Sequence, residues 1–320
     1  MVRRGDISGP EPDSEALLEP RLRAAIGAFS GTAAIAARHI GAEADRWVGV
    51  NADRPLAIVS VFKIGVLIEF HRQASTGRLD PEERWRLAAR DIVQGSGVVK
   101  DLEPGADLTL RDLALLMTTV SDNSATNVLI DRLGGVDRVN ETLRDRLGLA
   151  SFKVHRPIDF EAIDDRIDRL AVASAGDLAQ LMARLVAGSV ISSDVSAAVL
   201  EALGRQPFVD QFPRYCRYNP YGEAKGLPQR VRVHAKTGFF PGARADAGAI
   251  RLPDGGWICY GVIANDSADG LMHPEAEPAV LNAVLGKLVL DAWWTEGEPL
   301  TVPLPDHARR FIEAGGRGVE

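Results

Sequence analysis

Cysteine is scarce in this chain: Cys216 and Cys259 are the only two among 320 residues. Two thiols supply neither a disulfide framework nor a cysteine-based metal cluster, so both are read as reduced structural residues. Cationic excess is missing too. A net charge of −7 argues against a nucleic-acid partner or an anionic membrane surface. No apolar run approaches the ~20 residues that cross a bilayer. The opening segment MVRRGDISGPEPDSEALLEP has two early arginines, but acidic residues and prolines follow where a leader carries its apolar stretch. A secretory leader is therefore not expected in this sequence, and a cytoplasmic protein is the expectation. Neither a metal nor an organic cofactor is implied.

What is present is an ordinary globular composition, 46% apolar and 25% charged. The length suits one large domain or two interleaved ones. Residues 1–15 read as a flexible tail. A helix follows near 15–29, then two short strands over 32–55, then a helix from Ala57 to Gln73. From Leu79 to Val186 the pattern is helical. Thr109 with Asp112 three residues later forms a capping-box start, and Gly134–Gly135 stops the next helix. A long polar connection over 151–174 interrupts the helices, and connections of that length are often functional. After Gly204, short alternating runs punctuated by Pro-Asp-Gly-Gly read as an antiparallel meander. A last helix repeats apolar pairs from Val280/Leu281 to Ala292/Trp293 and must pack on something, most simply the sheet. The expected fold is α+β. Residues 16–58 and 205–320 make an α/β sandwich whose antiparallel sheet draws on both termini. Residues 59–204 make an all-helical insert, with an active-site cleft between the two parts.

Three short motifs carry chemistry. Ser60 and Lys63 stand at i and i+3 at a helix start, where a backbone N–H is free and a lysine in apolar surroundings loses preference for its charge. Such a lysine can take the serine proton. A capping serine beside a snorkelling lysine is the plainer alternative. Ser121-Asp122-Asn123 lies between two helices, where it also reads as a capping cluster. Lys236-Thr237-Gly238 lies on the first strand of the meander. Together these form the ordered set S-x-x-K, S-D-N, K-T-G.

On these motifs, their order and the segment LTLRDLALLMTTVSDNSATNVLIDRLGG, the chain resembles the class A β-lactamase-like serine hydrolases over residues 25–296. The resemblance implies an acyl-enzyme on Ser60, with Lys63 as general base and Ser121 as proton carrier to the leaving group. It implies that Lys236 holds Ser121 and draws a substrate carboxylate. Asn123, Thr237 and Gly238 line the substrate site, and the N–H groups of Ser60 and Phe239 form an oxyanion hole. Arg244 is either a further carboxylate anchor or a solvated strand arginine.

Two departures qualify the resemblance. Members of that group place a glutamate on the connection before the last insert helix, followed four residues on by an asparagine. Here Pro157 aligns with the glutamate; Asp159 and Glu161 are nearby candidates for the deacylating base, or plain solvated acids. The 207–230 segment is also long, with Tyr215, Tyr218 and Tyr221 among Arg214, Arg217 and Lys225. It reads either as a reshaped cleft wall or as a surface loop or dimer contact. The expected function is hydrolysis of a small, carboxylate-bearing ester or amide, in a biosynthetic pathway. The alternatives are a true class A β-lactamase, a D-alanyl-D-alanine carboxypeptidase, and a silent binding protein on the same scaffold. The expected partner is a small molecule, with oligomeric state left open.

Overall fold

The computed structural model describes residues 16–41 and 45–313; the tail assigned to 1–15 lies outside them. Helix α1 (Leu18–Gly27) leads into strands β1 (Thr32–Ile40) and β2 (Arg46–Val50). Three long strands near the other end, β8 (Arg232–Phe240), β9 (Ala243–Arg251) and β10 (Trp257–Asn265), complete an antiparallel sheet of order β2-β1-β10-β9-β8. Thus β1 pairs along its length with β10, Thr32 opposite Asn265, and the sheet joins both ends of the chain. This is the pairing expected from the sequence.

Alternation along these strands builds two cores. Ala34, Ala36, Ala245, Ala247 and Ala249 face one side. Ile35, Ile250, Ile258, Tyr260 and Val262 face the other. The alanine face is flat enough for α7 (Ala175–Val186) to lie on β1, β9 and β10. The bulkier face is covered by α1 and by α9 (Glu277–Trp293), and α10 (Asp306–Glu313) packs in turn on those two helices. The apolar pairs of α9 are buried nearly throughout. Helix α10 carried no sequence signal that singled it out. Cys216 and Cys259 are buried and unpaired, and burial pushes both thiols up to about 12.

In sequence, the segment between β2 and β8 carries α2 (Lys63–Ser75), α3 (Leu110–Thr119), α4 (Asn123–Leu133), α5 (Val136–Glu141), α6 (Phe160–Ile163), α7 and α8 (Ser193–Leu203). The capping box at α3 is real: Thr109 accepts from the Asp112 N–H and Asp112 from the Thr109 N–H, each at 3.0 Å. Gly134 ends α4 in the left-handed conformation. Residues 79–109, read above as part of the helical run, are not α-helical. They form the hairpin β4 (Arg84–Arg86) with β5 (Asp107–Thr109) and two 3-10 turns. Gly95, Gly97 and Gly105, all at positive φ, break any helix there. A second small sheet, β3 (Leu56–Ala57), β7 (Ala171–Ala173) and β6 (Lys153–Val154), ties the long polar connection to the head of α2.

Helix α2 is the post of this region. Ile64, Val66, Leu67, Ile68 and Phe70 are buried, and each large side chain withdrawn from water contributes about 1.5–3 kcal/mol. Glu69 is buried on the same helix. Its carboxylate accepts two bonds from Arg72 (2.6 and 2.7 Å), one from Gln73 (2.7 Å) and one from Thr142 (2.7 Å). Burial raises its pKa, but the bonds from Arg72, Gln73 and Thr142 outweigh that and hold it below the ordinary carboxylate range. Stability from this group is therefore present above the unfolded-state pKa and is lost as pH falls through the folded one. Glu69→Ala strands Arg72 and is expected to cost about 3–5 kcal/mol, read as a lowered urea midpoint at pH 7; an unchanged midpoint would show the network to be idle.

Candidate active site

Ser60 does not sit on α2. Val59 has φ 47°, a left-handed backbone that is an outlier for a β-branched residue. The chain therefore enters through a 3-10 turn, Val59–Phe62, and α2 starts at Lys63. This corrects the single helix expected from Ala57. In a 3-10 turn positions i and i+3 eclipse, so Ser60 and Lys63 still share one side. Ser60 is half-buried, and Lys63 is 1% exposed.

The Lys63 ammonium donates to Ser121 O (2.6 Å), Ser121 Oγ (3.0 Å) and Asn123 Oδ1 (2.9 Å). Its three donors are thus spent on neutral oxygens, with no carboxylate bonded to it. Burial, reinforced by the nearby positive charge of Lys236, lowers its pKa well below the ordinary lysine value, while Asp122 pulls weakly the other way. No hydrogen bond joins Ser60 to Lys63, a common state for catalytic pairs without substrate.

The S-D-N turn is held from behind. Ser121 has φ 57°, a strained conformation that turns its carbonyl onto Lys63. Asp122 caps α4 through the Ala125 N–H (2.9 Å) and also accepts the N–H groups of Val98 (2.6 Å) and Val99 (2.8 Å). Ser96 Oγ donates to Ser121 O (2.8 Å) and Asn123 Oδ1 (3.2 Å). A Cβ on Gly97 would lie 2.2 Å from the Asp122 carboxylate, so only glycine lets this strap wrap the turn. Ser96 was not singled out from sequence; the Gly-Ser-Gly triplet at 95–97 was the available signal.

Strand β8 forms the opposite wall. Lys236 and Thr237 are each 1% exposed. Lys236 Nζ donates to Thr237 O (2.8 Å) and Gln206 Oε1 (3.3 Å), and Gln206 Oε1 also accepts the Thr237 N–H (3.1 Å). The expected bond from Lys236 to Ser121 is not made; Lys63 occupies the Ser121 hydroxyl instead. Gln206, which nothing in the sequence marked, takes that place at Lys236. Burial lowers the Lys236 pKa to about 7, against an upward pull from Asp246. Asp246 lies fully buried on β9, bonded by Tyr260 Oη (3.2 Å) and the Phe212 N–H (3.3 Å). Burial and then Asp210 raise its pKa well above the carboxylate range. The Thr237 backbone points away from β9, and in an antiparallel pair the residue two along does the same. The Phe239 N–H therefore points outward as well. A Cβ on Gly238 would come within 2.8 Å of the Ser60 N atom. The turn bearing Ser60 and the strand bearing Phe239 are in backbone contact only because residue 238 has no side chain.

The remaining candidates lie further out. Arg244 is not solvated: it is 1% exposed, and its guanidinium donates to the carbonyls of Phe240 (2.9 Å), Ala243 (2.8 Å) and Leu271 (3.1 Å). Asp159 is exposed and caps α6 through the Ala162 N–H (3.0 Å). Glu161 is exposed on the same helix. Between them Phe160 stacks on Phe240, ring centroids 6.4 Å apart and 20° from parallel, so the polar connection touches the end of β8. Asn127 fixes that connection by exchanging two 2.8 Å bonds with the Ile158 backbone. Among the described residues no cluster of three His, Cys, Asp or Glu side chains is placed to hold a metal ion, and no helix is long and apolar enough to cross a membrane.

Comparison with known proteins gives the same direction. The solved β-lactamase of Sphaerobacter thermophilus superposes with a TM-score of 0.73 at 28% identity, covering 85% of this chain and 95% of that one. PBP-A superposes at 0.72 with 22% identity over 89% of this chain and 99% of its own, a likeness of fold. In sequence, β-lactamase AST-1 of Nocardia asteroides is 29% identical over 90% of this chain and 88% of its own. β-Lactamase CARB-4 of Pseudomonas aeruginosa is 26% identical over 45% of this chain, which spans about half, 49%, of that relative. A family model described as the β-lactamase enzyme family matches residues 17–293. With most of the chain covered by that match, the protein belongs to the β-lactamase enzyme family.

Proposed function

We propose that the protein is a serine hydrolase working through a Ser60 acyl-enzyme on a small ester or amide that bears a carboxylate. The observation that carries this reading is Lys63: a buried amine at the head of a rigid helix, bonded only to neutral oxygens and three residues from a half-buried serine. Deprived of a counter-charge, it is suited to be neutral and to accept the Ser60 proton as Oγ bonds to the substrate carbonyl carbon. Ser121 Oγ, on the same ammonium, then delivers that proton to the leaving atom as its bond to carbon breaks. The N–H groups of Ser60 and Phe239 hold the carbonyl oxygen as it gains charge. Lys236 and Thr237 receive the substrate carboxylate, and Asn123 and Gly238 bound the same space. Water then cleaves the Ser60 ester.

The second reading is a true β-lactamase, favoured by the names of the relatives. It requires a base for the acyl-enzyme. Asp159 is spent on a helix cap and Glu161 is exposed, so the reading preferred here is that a β-lactam acylates Ser60 and leaves slowly. The expected result with nitrocefin is a burst of about one equivalent followed by slow turnover, with a penicillin adduct on Ser60 visible by intact mass and absent in Ser60→Ala. Rapid steady hydrolysis that collapses in Glu161→Gln or Asp159→Asn would overturn this in favour of the second reading.

The two lysines set the pH dependence. Lys63 must be neutral to act as a base, and Lys236 must be charged to draw a carboxylate. Acylation by a carboxylate-bearing ester is expected to rise as Lys63 loses its proton and to fall as pH climbs through about 7, where Lys236 loses its charge. Stopped-flow acylation rates from pH 5 to 10 read both limbs; a rate still climbing at pH 10 would remove Lys236 from this role. Lys63→Met is expected to slow acylation about 10²–10⁴-fold. Gly238→Ala, which pushes the Ser60 turn off β8, is expected to cost about 10²-fold by spoiling one oxyanion donor, read as kcat on a p-nitrophenyl ester.

A further inference from the structure

A cavity of about 410 Å³ lies between α2, α3 and α8, within the ~300–1,000 Å³ range of small-molecule sites. Its origin lies in residue size. Leu67 and Phe70 line it from α2, and the facing helices bring alanines: Ala114 on α3, and Ala198 and Ala202 on α8. Positions four apart share one helix face, so α8 offers two methyl groups where larger side chains would close the space. None of the catalytic steps above uses these residues.

The polar groups around this space define what would fill it. The charges at its edge are already matched: Arg111 pairs with Glu82, Arg205 with Glu201, and Asp112 is held in the capping box with Thr109. The cavity therefore offers no unmatched charge to an ionic ligand. His71 is different. Its ring stands edge-on to Phe70, centroids 5.2 Å apart, and lines the cavity. Neither ring nitrogen has a hydrogen-bond partner among the described residues. Burial lowers its pKa, against an upward pull from Glu201. At neutral pH the ring is then imidazole, with one nitrogen to donate and one to accept.

The walls of the cavity lead to both buried lysines. Lys63, Leu67 and Phe70 stand at i, i+4 and i+7, one row along α2. At the other wall Arg205 is followed by Gln206, whose Oε1 accepts Lys236 Nζ and the Thr237 N–H. His234 Nδ1 donates to the Leu200 carbonyl (2.9 Å), so the end of α8 is tied twice to β8. Acylation requires Lys63 to exchange its present bonds to the S-D-N turn for one to the Ser60 hydroxyl. An occupant that touches α2, α3 and α8 together favours their present spacing and opposes that adjustment.

We infer that this cavity is an effector site for a small neutral molecule, an apolar body of about one ring with a single hydroxyl or carbonyl that meets His71, and that its occupancy slows acylation without competing for the cleft. The slowing rests on the Ser60 reading; the binding does not.

Thymol, a neutral phenol, is the probe. Cymene, the same skeleton without the hydroxyl, and cuminate, a like ring bearing a carboxylate, are the comparisons. In Ser60→Ala protein with labelled histidine rings, thymol is expected to shift the His71 signal saturably and to leave those of His155 and His273 unmoved, with cuminate binding more weakly. Ala202→Leu, which fills the space, and Leu115→Asp, at a lining position that is 38% exposed, are each expected to weaken that response. A His71 signal that thymol does not move, or that moves equally in both variants, overturns the site. By the rise in melting temperature, thymol is expected to bind about 2–10-fold tighter than cymene, an advantage lost in His71→Phe; an advantage retained there overturns the ligand class. With Ser60 in place, saturating thymol is expected to slow the nitrocefin burst about 5-fold or more, and Ala202→Leu is expected to remove the effect. An unchanged burst rate, or relief by excess nitrocefin, overturns the effector role. Absence of any burst, with the His71 response intact, counts against the Ser60 reading alone.

Discussion

The arrangement depends on one electrostatic constraint: an ammonium buried at Lys63 with no bonded carboxylate. Water is excluded around it by the apolar body of α2, and the second buried lysine, Lys236, opposes its charge. Among the described residues, three oxygens from the S-D-N turn are the only groups bonded to the Lys63 ammonium. Each neighbouring peculiarity serves to put those oxygens there. Ser121 adopts a left-handed backbone so that both its carbonyl and its hydroxyl reach Nζ. Asp122 turns away from the lysine and spends its carboxylate on three backbone N–H groups. Were Asp122 to face the other way, the lysine would gain an ion pair and lose its usefulness as a base.

A second tension lies across the cleft. Lys236 and Asp246 are both fully buried, on neighbouring strands, and each is moved toward its neutral form by burial. They are not bonded to each other: the Lys236 ammonium meets Gln206 and the Thr237 carbonyl, and Asp246 meets Tyr260 and the Phe212 N–H. Asp210 adds negative potential from the side. Each group therefore pulls the other only through space, and a substrate carboxylate bound above favours the charged lysine.

Much of this was legible in the chain. The α3 capping box and the three motifs are local patterns, and the strands that build the sheet from both termini are each marked by local alternation. What was not legible depends on backbone close approach or on a single side chain with no motif around it. The 3-10 entry to α2 arises from Val59 adopting a conformation that its sequence disfavours. Ser96 and Gln206 are ordinary polar residues whose importance comes only from where distant loops set them down. Asp246 sits in an alanine-rich strand that reads simply as apolar. Residues 79–109 depart from the helical pattern because Gly95, Gly97 and Gly105 take positive φ there, a backbone choice that apolar spacing does not reveal.

Strand β8 lies at the margin of its sheet, and its outer backbone groups face no neighbouring strand. An open margin of this kind is where sheets from different molecules join. At Thr237 the N–H is taken by the Gln206 side chain and the carbonyl by Lys236, and the turn bearing Ser60 presses against Gly238. The substrate wall and the seal on the sheet are therefore the same few groups. A change that frees them to suit a larger ligand also exposes a pairing edge, so widening this cleft carries a cost in colloidal stability that no measurement of catalysis would reveal.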